Sequence, residues 1–107
     1  MKQLTMLLAF LNNMTEQALK TRVIKTLKYD YPGCWVVKLS DRWIVGIPDL
    51  VFTHKGITIW MELKAEKGIV SKMQRYVIDK INAAGGHAHV VRSVEEARMI
   101  CRNLISK

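Results

Sequence analysis

Between the turn residue Gly56 and Ala65 the chain alternates strictly, with Ile57, Ile59, Met61 and Leu63 apolar and Thr58, Trp60, Glu62 and Lys64 between them. Period-two patterning demands an extended strand, because successive side chains leave opposite faces. One face would join a core while the other carries Glu62 and Lys64 side by side. Such a strand needs sheet partners and a covering layer, and the flanking segments offer both. After Thr15, a good N-cap, Ala18, Leu19, Val23, Ile24 and Leu27 recur at helical spacing until Tyr31-Pro32-Gly33 stops the run. Cys34 to Leu39 reads as a strand, Ser40 to Trp43 as a polar connection, Ile47 to Thr53 as a second strand and Ile57 to Ala65 as a third. Helix returns from Lys72 to Ala84 with Met73, Tyr76, Val77, Ile78 and Ile81 as its apolar set, and Gly85-Gly86 closes it. His87 to Arg92 reads as a fourth strand, and the capping box Ser93-Val94-Glu95-Glu96 opens a last helix. The order is αβββαβ with a closing helix, an α/β arrangement.

The 107 residues, half of them hydrophobic, suffice for one core but leave no room for a separate recognition module. Residues 15–107 read as a single domain behind an N-terminal extension, residues 1–14. Lys2 followed by Leu4, Met6, Leu7, Leu8, Ala9, Phe10 and Leu11 is too short an apolar stretch for a secretory signal and lacks a cleavage site, so a short helix packing on the core or on a second subunit is expected. No membrane span is expected. Cys34 and Cys101 lie in apolar contexts without zinc spacing, which fits reduced thiols of an intracellular protein, cytoplasmic or nucleoid-associated. His54, His87 and His89 also lack ligand spacing with one another, and structural or surface roles are expected of His87 and His89.

The chemistry of the chain concentrates in two stretches, Gly46-Ile47-Pro48-Asp49 and Met61-Glu62-Leu63-Lys64. They set two carboxylates and a lysine on neighbouring strands. A hard divalent cation takes one or two carboxylates together with waters and phosphate oxygens. Asp49 and Glu62 are suited to hold one, and a lysine on the same face as Glu62 offsets charge on a reacting phosphate. The set is what metal-assisted phosphodiester cleavage requires. A plain alternative exists for each part: Pro-Asp opens turns, and an acid two residues from a lysine on a strand is often a solvated ion pair.

Taken together, Gly46-Ile47-Pro48-Asp49-Leu50-Val51, Glu62-Leu63-Lys64-Ala65 and Ser71-Lys72-Met73-Gln74 resemble the VRR-NUC branch of the PD-(D/E)xK nuclease superfamily. The likeness runs from about Glu16 to about Glu96. It implies a restriction endonuclease-like αβββαβ core with a mixed central sheet flanked by helices, and cleavage of nucleic acid with Mg²⁺ or Mn²⁺. It also implies Asp49 and Glu62 as metal ligands, the Leu63 carbonyl as a third, Lys64 as the catalytic lysine, Glu16 as an acid completing the metal shell and Gln74 as a support of the site. Two of these positions carry rival explanations. Ser71-x-x-Gln74 is also a capping box, and Glu16 is an acid in a first helical turn, favoured there by the helix dipole.

Charge adds an argument independent of motifs. Seventeen basic against nine acidic residues leave a formal +8, which attracts a polyanion. Lys38, Arg42, Lys67, Lys72 and Arg75 cluster around the motif segments and are the expected phosphate contacts; Trp43 and Trp60 offer stacking surfaces, although ordinary packing explains them as well. Lys20, Lys25 and Lys28 read as the solvated face of the first helix. The expected partner is DNA, branched DNA such as a four-way (Holliday) junction in particular, bound by a homodimer. A nuclease on flaps or RNA, a non-catalytic binding module, and a subunit directed by a helicase or polymerase partner are the alternatives.

Overall fold

The computed structural model describes residues 14–39 and 44–105. Helix α1 (Glu16–Asp30) leads into strand β1 (Trp35–Lys38), then β2 (Leu50–His54) and β3 (Ile57–Leu63). Helix α2 (Lys72–Ala83), strand β4 (Ala88–Val91) and helix α3 (Val94–Ile105) follow. This is the αβββαβ order with a closing helix. The readings that fell on residues 1–13, on the 40–43 connection with Arg42 and Trp43, and on 106–107 lie outside the described residues.

The four strands form one sheet in the order β1-β2-β3-β4. The first three are antiparallel, and β4 joins β3 in parallel, with α2 as the crossover that a parallel pair requires. The sheet is therefore mixed. Lys55 and Gly56, at φ 50° and 82°, make the two-residue turn between β2 and β3, and both positive φ values match the twist of a tight hairpin. Its flanks are tied by the Thr53 and Thr58 hydroxyls, 3.0 Å apart.

Helices α1 and α3 cover one face of the sheet. Leu19, Val23 and Leu27 of α1 and Ala97, Cys101 and Ile105 of α3 meet Leu50, Phe52, Ile59, Met61, Leu63 and Val91 in a continuous core. Tyr31 adds an edge-on contact to Phe52, with ring centroids 5.6 Å apart. Arg98 grips Asp30 with two hydrogen bonds, 2.8 and 3.2 Å, and so locks α3 to the end of α1. Both cysteines are free, Cys101 buried and Cys34 half-buried. Burial, with the nearby Asp30 and Cys34, pushes the Cys101 thiol up to about 12, so it stays an unreactive core group.

The other face is where the strand pattern proved incomplete. Val51, Trp60 and Ala88 are cross-strand neighbours there, and Val51 and Ala88 are buried. Helix α2 lies against β4 on this side, so the face that carries Glu62 is covered too. Strand β2 begins at Leu50 rather than at Ile47. Pro48 has no N–H to give to a ladder, and the Asp49 side chain replaces a backbone carbonyl as the acceptor of the Leu63 N–H. Each of the other three strands is two residues shorter than the apolar pattern that announced it.

Candidate active site at the end of the third strand

The end of β3, the start of β2 and the first turns of α1 and α2 converge on one point. Each of the residues singled out by the motifs reaches it by a traceable route. Glu62 is the one charged side chain buried among the described residues, at 2 % exposure. Its Oε2 accepts a hydrogen bond from Gln74 Nε2 at 2.9 Å and lies 3.6 Å from Lys64 Nζ. Its Oε1 has no partner at all. Lys64 also stands 4.0 Å from Glu16 Oε1. Asp49 receives the Leu63 N–H on Oδ2 at 3.0 Å. The Leu63 carbonyl leaves the strand on the same edge as its N–H, toward Asp49, by the alternation of backbone groups.

Gln74 performs both duties that its position allowed. The Ser71 N–H donates to Gln74 Oε1 at 2.9 Å and the Gln74 N–H to Ser71 Oγ at 3.1 Å, a complete capping box. The remaining amide group of Gln74 is then aimed at Glu62. Capping and contact with Glu62 come from one rotamer, so the helix start fixes the carboxylate. Glu16 sits in the first turn of α1 behind the Thr15 N-cap, half-exposed, and beside it runs the loop after β3, since a β-carbon at Gly68 would stand 3.1 Å from Glu16 Oε1.

Two residues join the site that no local pattern placed there. Lys20, expected on the solvated face of α1, lies 3.3 Å from Asp49 Oδ1, and both side chains are less than a quarter exposed. It is one helical turn beyond Glu16, which aims both at this end of the sheet. Lys25 and Lys28 are exposed as expected. Arg92, just past β4, gathers the carbonyls of Ala65, Glu66 and Gly68 on its Nη1 at 2.8 to 3.1 Å and so holds the loop that follows Lys64. Of the expected phosphate contacts, Lys38 ends β1 opposite Leu50, Lys67 lies in the loop held by Arg92, and Lys72 and Arg75 flank Gln74; all four are exposed. Arg75 reaches Asp79 at 3.9 Å. Trp60 is half-buried within the sheet, and His87 and His89 are half-buried near β4.

Burial pushes the Glu62 carboxyl up to about 7, and the Asp49 charge pushes in the same direction; the Lys64 ammonium opposes the rise. A carboxyl whose folded pKa exceeds its unfolded value stabilises the fold below the unfolded pKa and loses that contribution as pH rises through the folded one. The window here runs from about 4.5 to about 7, and the full shift is worth on the order of 3 kcal/mol. In EDTA, the melting temperature of the parent should therefore fall between pH 5 and pH 8 relative to that of Glu62→Gln. Parallel curves for the two proteins would show that Glu62 does not titrate in this range.

The residues present fit a hard divalent cation. An unpartnered, buried carboxylate oxygen, a second carboxylate just ahead of the adjacent strand and a backbone carbonyl on the same edge make an oxygen donor set of the size Mg²⁺ uses, with water completing it. Among the described residues no three His, Cys, Asp or Glu side chains enclose a metal by themselves. Asp49, Glu62 and the Leu63 carbonyl form an open donor set rather than a closed cage.

No family model matches the sequence, and no curated protein does. A solved structure described as a VRR_NUC domain is similar to this chain, with a TM-score of 0.67 and 24 % sequence identity, over 85 % of this chain and 99 % of that one. No helix among the described residues is long and apolar enough to cross a membrane. Among the described residues, the four-stranded mixed sheet and its three helices thus share the fold of that VRR_NUC domain, a restriction endonuclease-like one.

Proposed function

We propose that this chain is a divalent-metal-dependent endonuclease that hydrolyses DNA phosphodiester bonds. The observation that carries the reading is the unpartnered Oε1 of buried Glu62, set beside Asp49 and Lys64 at the mouth of one fold. An isolated buried carboxylate oxygen is unfavourable unless something binds it, so it marks a place kept for a ligand. Asp49, Glu62 and the Leu63 carbonyl would hold Mg²⁺ or Mn²⁺, with Glu16 at the outer side. The cation supplies, when bound, polarisation of the phosphate and a lowered pKa for water at the site.

The chain's own groups do the remainder. Gln74 keeps Glu62 Oε2 occupied, which leaves Oε1 as the free donor and fixes the plane of the carboxylate. Lys64, between Glu62 and Glu16, is placed to orient the attacking water and to offset charge that builds on the phosphate oxygens. The Leu63 N–H holds Asp49 in register with the end of β3. Exposed Lys38, Lys67, Lys72 and Arg75, with Arg42 as a further candidate, would contact phosphates on either side of the scissile bond and position the strand without reading bases.

Selectivity for branched DNA, four-way junctions above all, is part of the proposal. Cutting two strands calls for two copies of a one-site domain related by a two-fold axis, hence a homodimer. The test is cleavage of end-labelled four-way junction, flap, linear duplex and single-stranded DNA with Mg²⁺, Mn²⁺ or EDTA, with the mass measured by light scattering. Paired incisions in the junction by a dimer are expected; preference for linear duplex, or a monomeric mass, would remove the junction reading.

The Lys20 amine on Asp49 favours a second reading, a nucleic-acid-binding module or partner-directed subunit whose carboxylate is satisfied by the protein itself. That reading expects DNA binding that survives Asp49→Asn with no metal-dependent cutting of any substrate.

A further inference from the structure

Beside the carboxylates lies an apolar surface that neither the fold nor the proposed chemistry uses. Gly46, at φ 86°, approaches the backbone of Met73 so closely that a β-carbon would stand 2.6 Å from its carbonyl oxygen. Gly46, and with it the adjoining Ile44 and Val45, thus lies close to the first turn of α2. Ile44 and Val45 on that segment are exposed, and so are Met73 and Tyr76, one helical turn apart on α2, and Ile69 just ahead of it. Gln74, between Met73 and Tyr76 in sequence, points inward to Glu62. The same helix turn thus presents its polar side to the carboxylate and its apolar side to solvent. Scattered exposed apolar residues need no explanation, but a group gathered at one helix start and the loop beneath it does.

The surroundings decide between occupants. Lys72, Arg75 and Lys80 rise from α2 around these side chains, with Asp79 as the one acid among them, paired to Arg75. Lys80 stands over the Tyr76 ring at 5.7 Å from its centroid, which steadies the ring. A second copy of the chain would bring these cations against their own kind, which disfavours association. A polyanion with flat apolar parts meets both features at once: its phosphates suit the rim, and its bases suit the centre. Bases are available for such contact where the duplex is interrupted, and apolar and aromatic side chains commonly wedge or stack there.

We propose that Met73 and Tyr76, with Val45 and Ile44 beside them, form an apolar platform that stacks against unpaired or unstacked bases at a discontinuity in DNA, next to the scissile phosphate. This rests on the nuclease reading for the position of the cut but not for the binding itself. The platform gives a physical cause for preferring branched over continuous DNA. Lysines and arginines contact the phosphates that both substrates share.

The test is binding in EDTA, where nothing is cut, of a four-way junction carrying 2-aminopurine at the branch point and of a linear duplex of the same sequence. The parent should alter the 2-aminopurine fluorescence of the junction. The double variant Met73→Gln, Tyr76→Gln should lose roughly 10-fold in junction affinity, the scale of one or two stacked bases, lose little on linear duplex, and keep the mass of the parent. Equal affinity of variant and parent for the junction, or equal losses on both substrates, would overturn the proposal. So would a halved mass in the variant, which would assign the surface to a second copy of the chain. If the parent cuts nothing with Mn²⁺ while the variant still loses junction affinity selectively, the platform stands and the nuclease reading alone falls.

Discussion

Lys64→Met should lower cleavage by roughly 10²- to 10³-fold, the usual effect of removing a preorganised charge from a reacting centre, while divalent affinity changes only a few-fold. The geometry separates these two properties. Lys64 Nζ touches Glu62 Oε2 and lies near Glu16, whereas the free donor is Glu62 Oε1. The methionine chain is about as long as that of lysine and retains the packing along the strand end, so folding should survive. Titration of Mn²⁺ by calorimetry, set beside cleavage rates, tests the split. Full activity in this variant would remove the lysine from the mechanism, and loss of Mn²⁺ binding as large as the loss of rate would make Lys64 a support of the metal site rather than of the phosphate.

The second large effect concerns a residue without any chemistry of its own. Gly46→Ala should destabilise the fold by about 3 kcal/mol or more, since it places a side chain at positive φ and drives it into a backbone. For a domain of this size that is a fall of some 10–20 °C in melting temperature. The obstacle is the Met73 carbonyl, 2.6 Å from the new β-carbon, and a helix backbone gives way less readily than a side chain. Displacing α2 would draw Gln74 from Glu62, so cleavage should fall with stability. Gly56→Ala is the control: its φ is 82°, yet nothing lies within 4 Å of the added carbon, and only the conformational strain of about 1 kcal/mol is expected. Equal melting temperatures for the two variants would show that the loop before β2 does not press on α2 as described.

Much of this architecture was legible because local rules generate it. The alternation of Ile57 to Leu63 set β3 and its core face, Thr15 and Ser71 marked two helix starts, and Gly56 marked the hairpin. Asp49, Glu62 and Lys64 could be paired from spacing alone, because two adjacent strands joined by a tight turn leave little freedom in register. What escaped depends on contacts made far along the chain. Lys20 has the spacing of a solvated helix face, and only the packing of α1 against the start of β2 brings it to Asp49. Arg92 reaches carbonyls 24 to 27 residues away, and no pattern near it announces that. The depth of Glu62 was missed because period two says which face a residue occupies but not what covers that face; α2 does, and this is why the carboxyl is pushed up toward neutrality. Pro48 did carry a warning against extending β2 to Ile47, since proline interrupts a ladder.

Parent, Asp49→Asn and Glu62→Gln proteins, each shown to be folded by its melting curve, should be incubated with an end-labelled four-way junction in Mn²⁺ and in EDTA. The site described here requires cutting by the parent in Mn²⁺ only, lost in both variants while their DNA binding at low salt persists. Cutting by the parent in EDTA, or undiminished cutting by either variant, would contradict it.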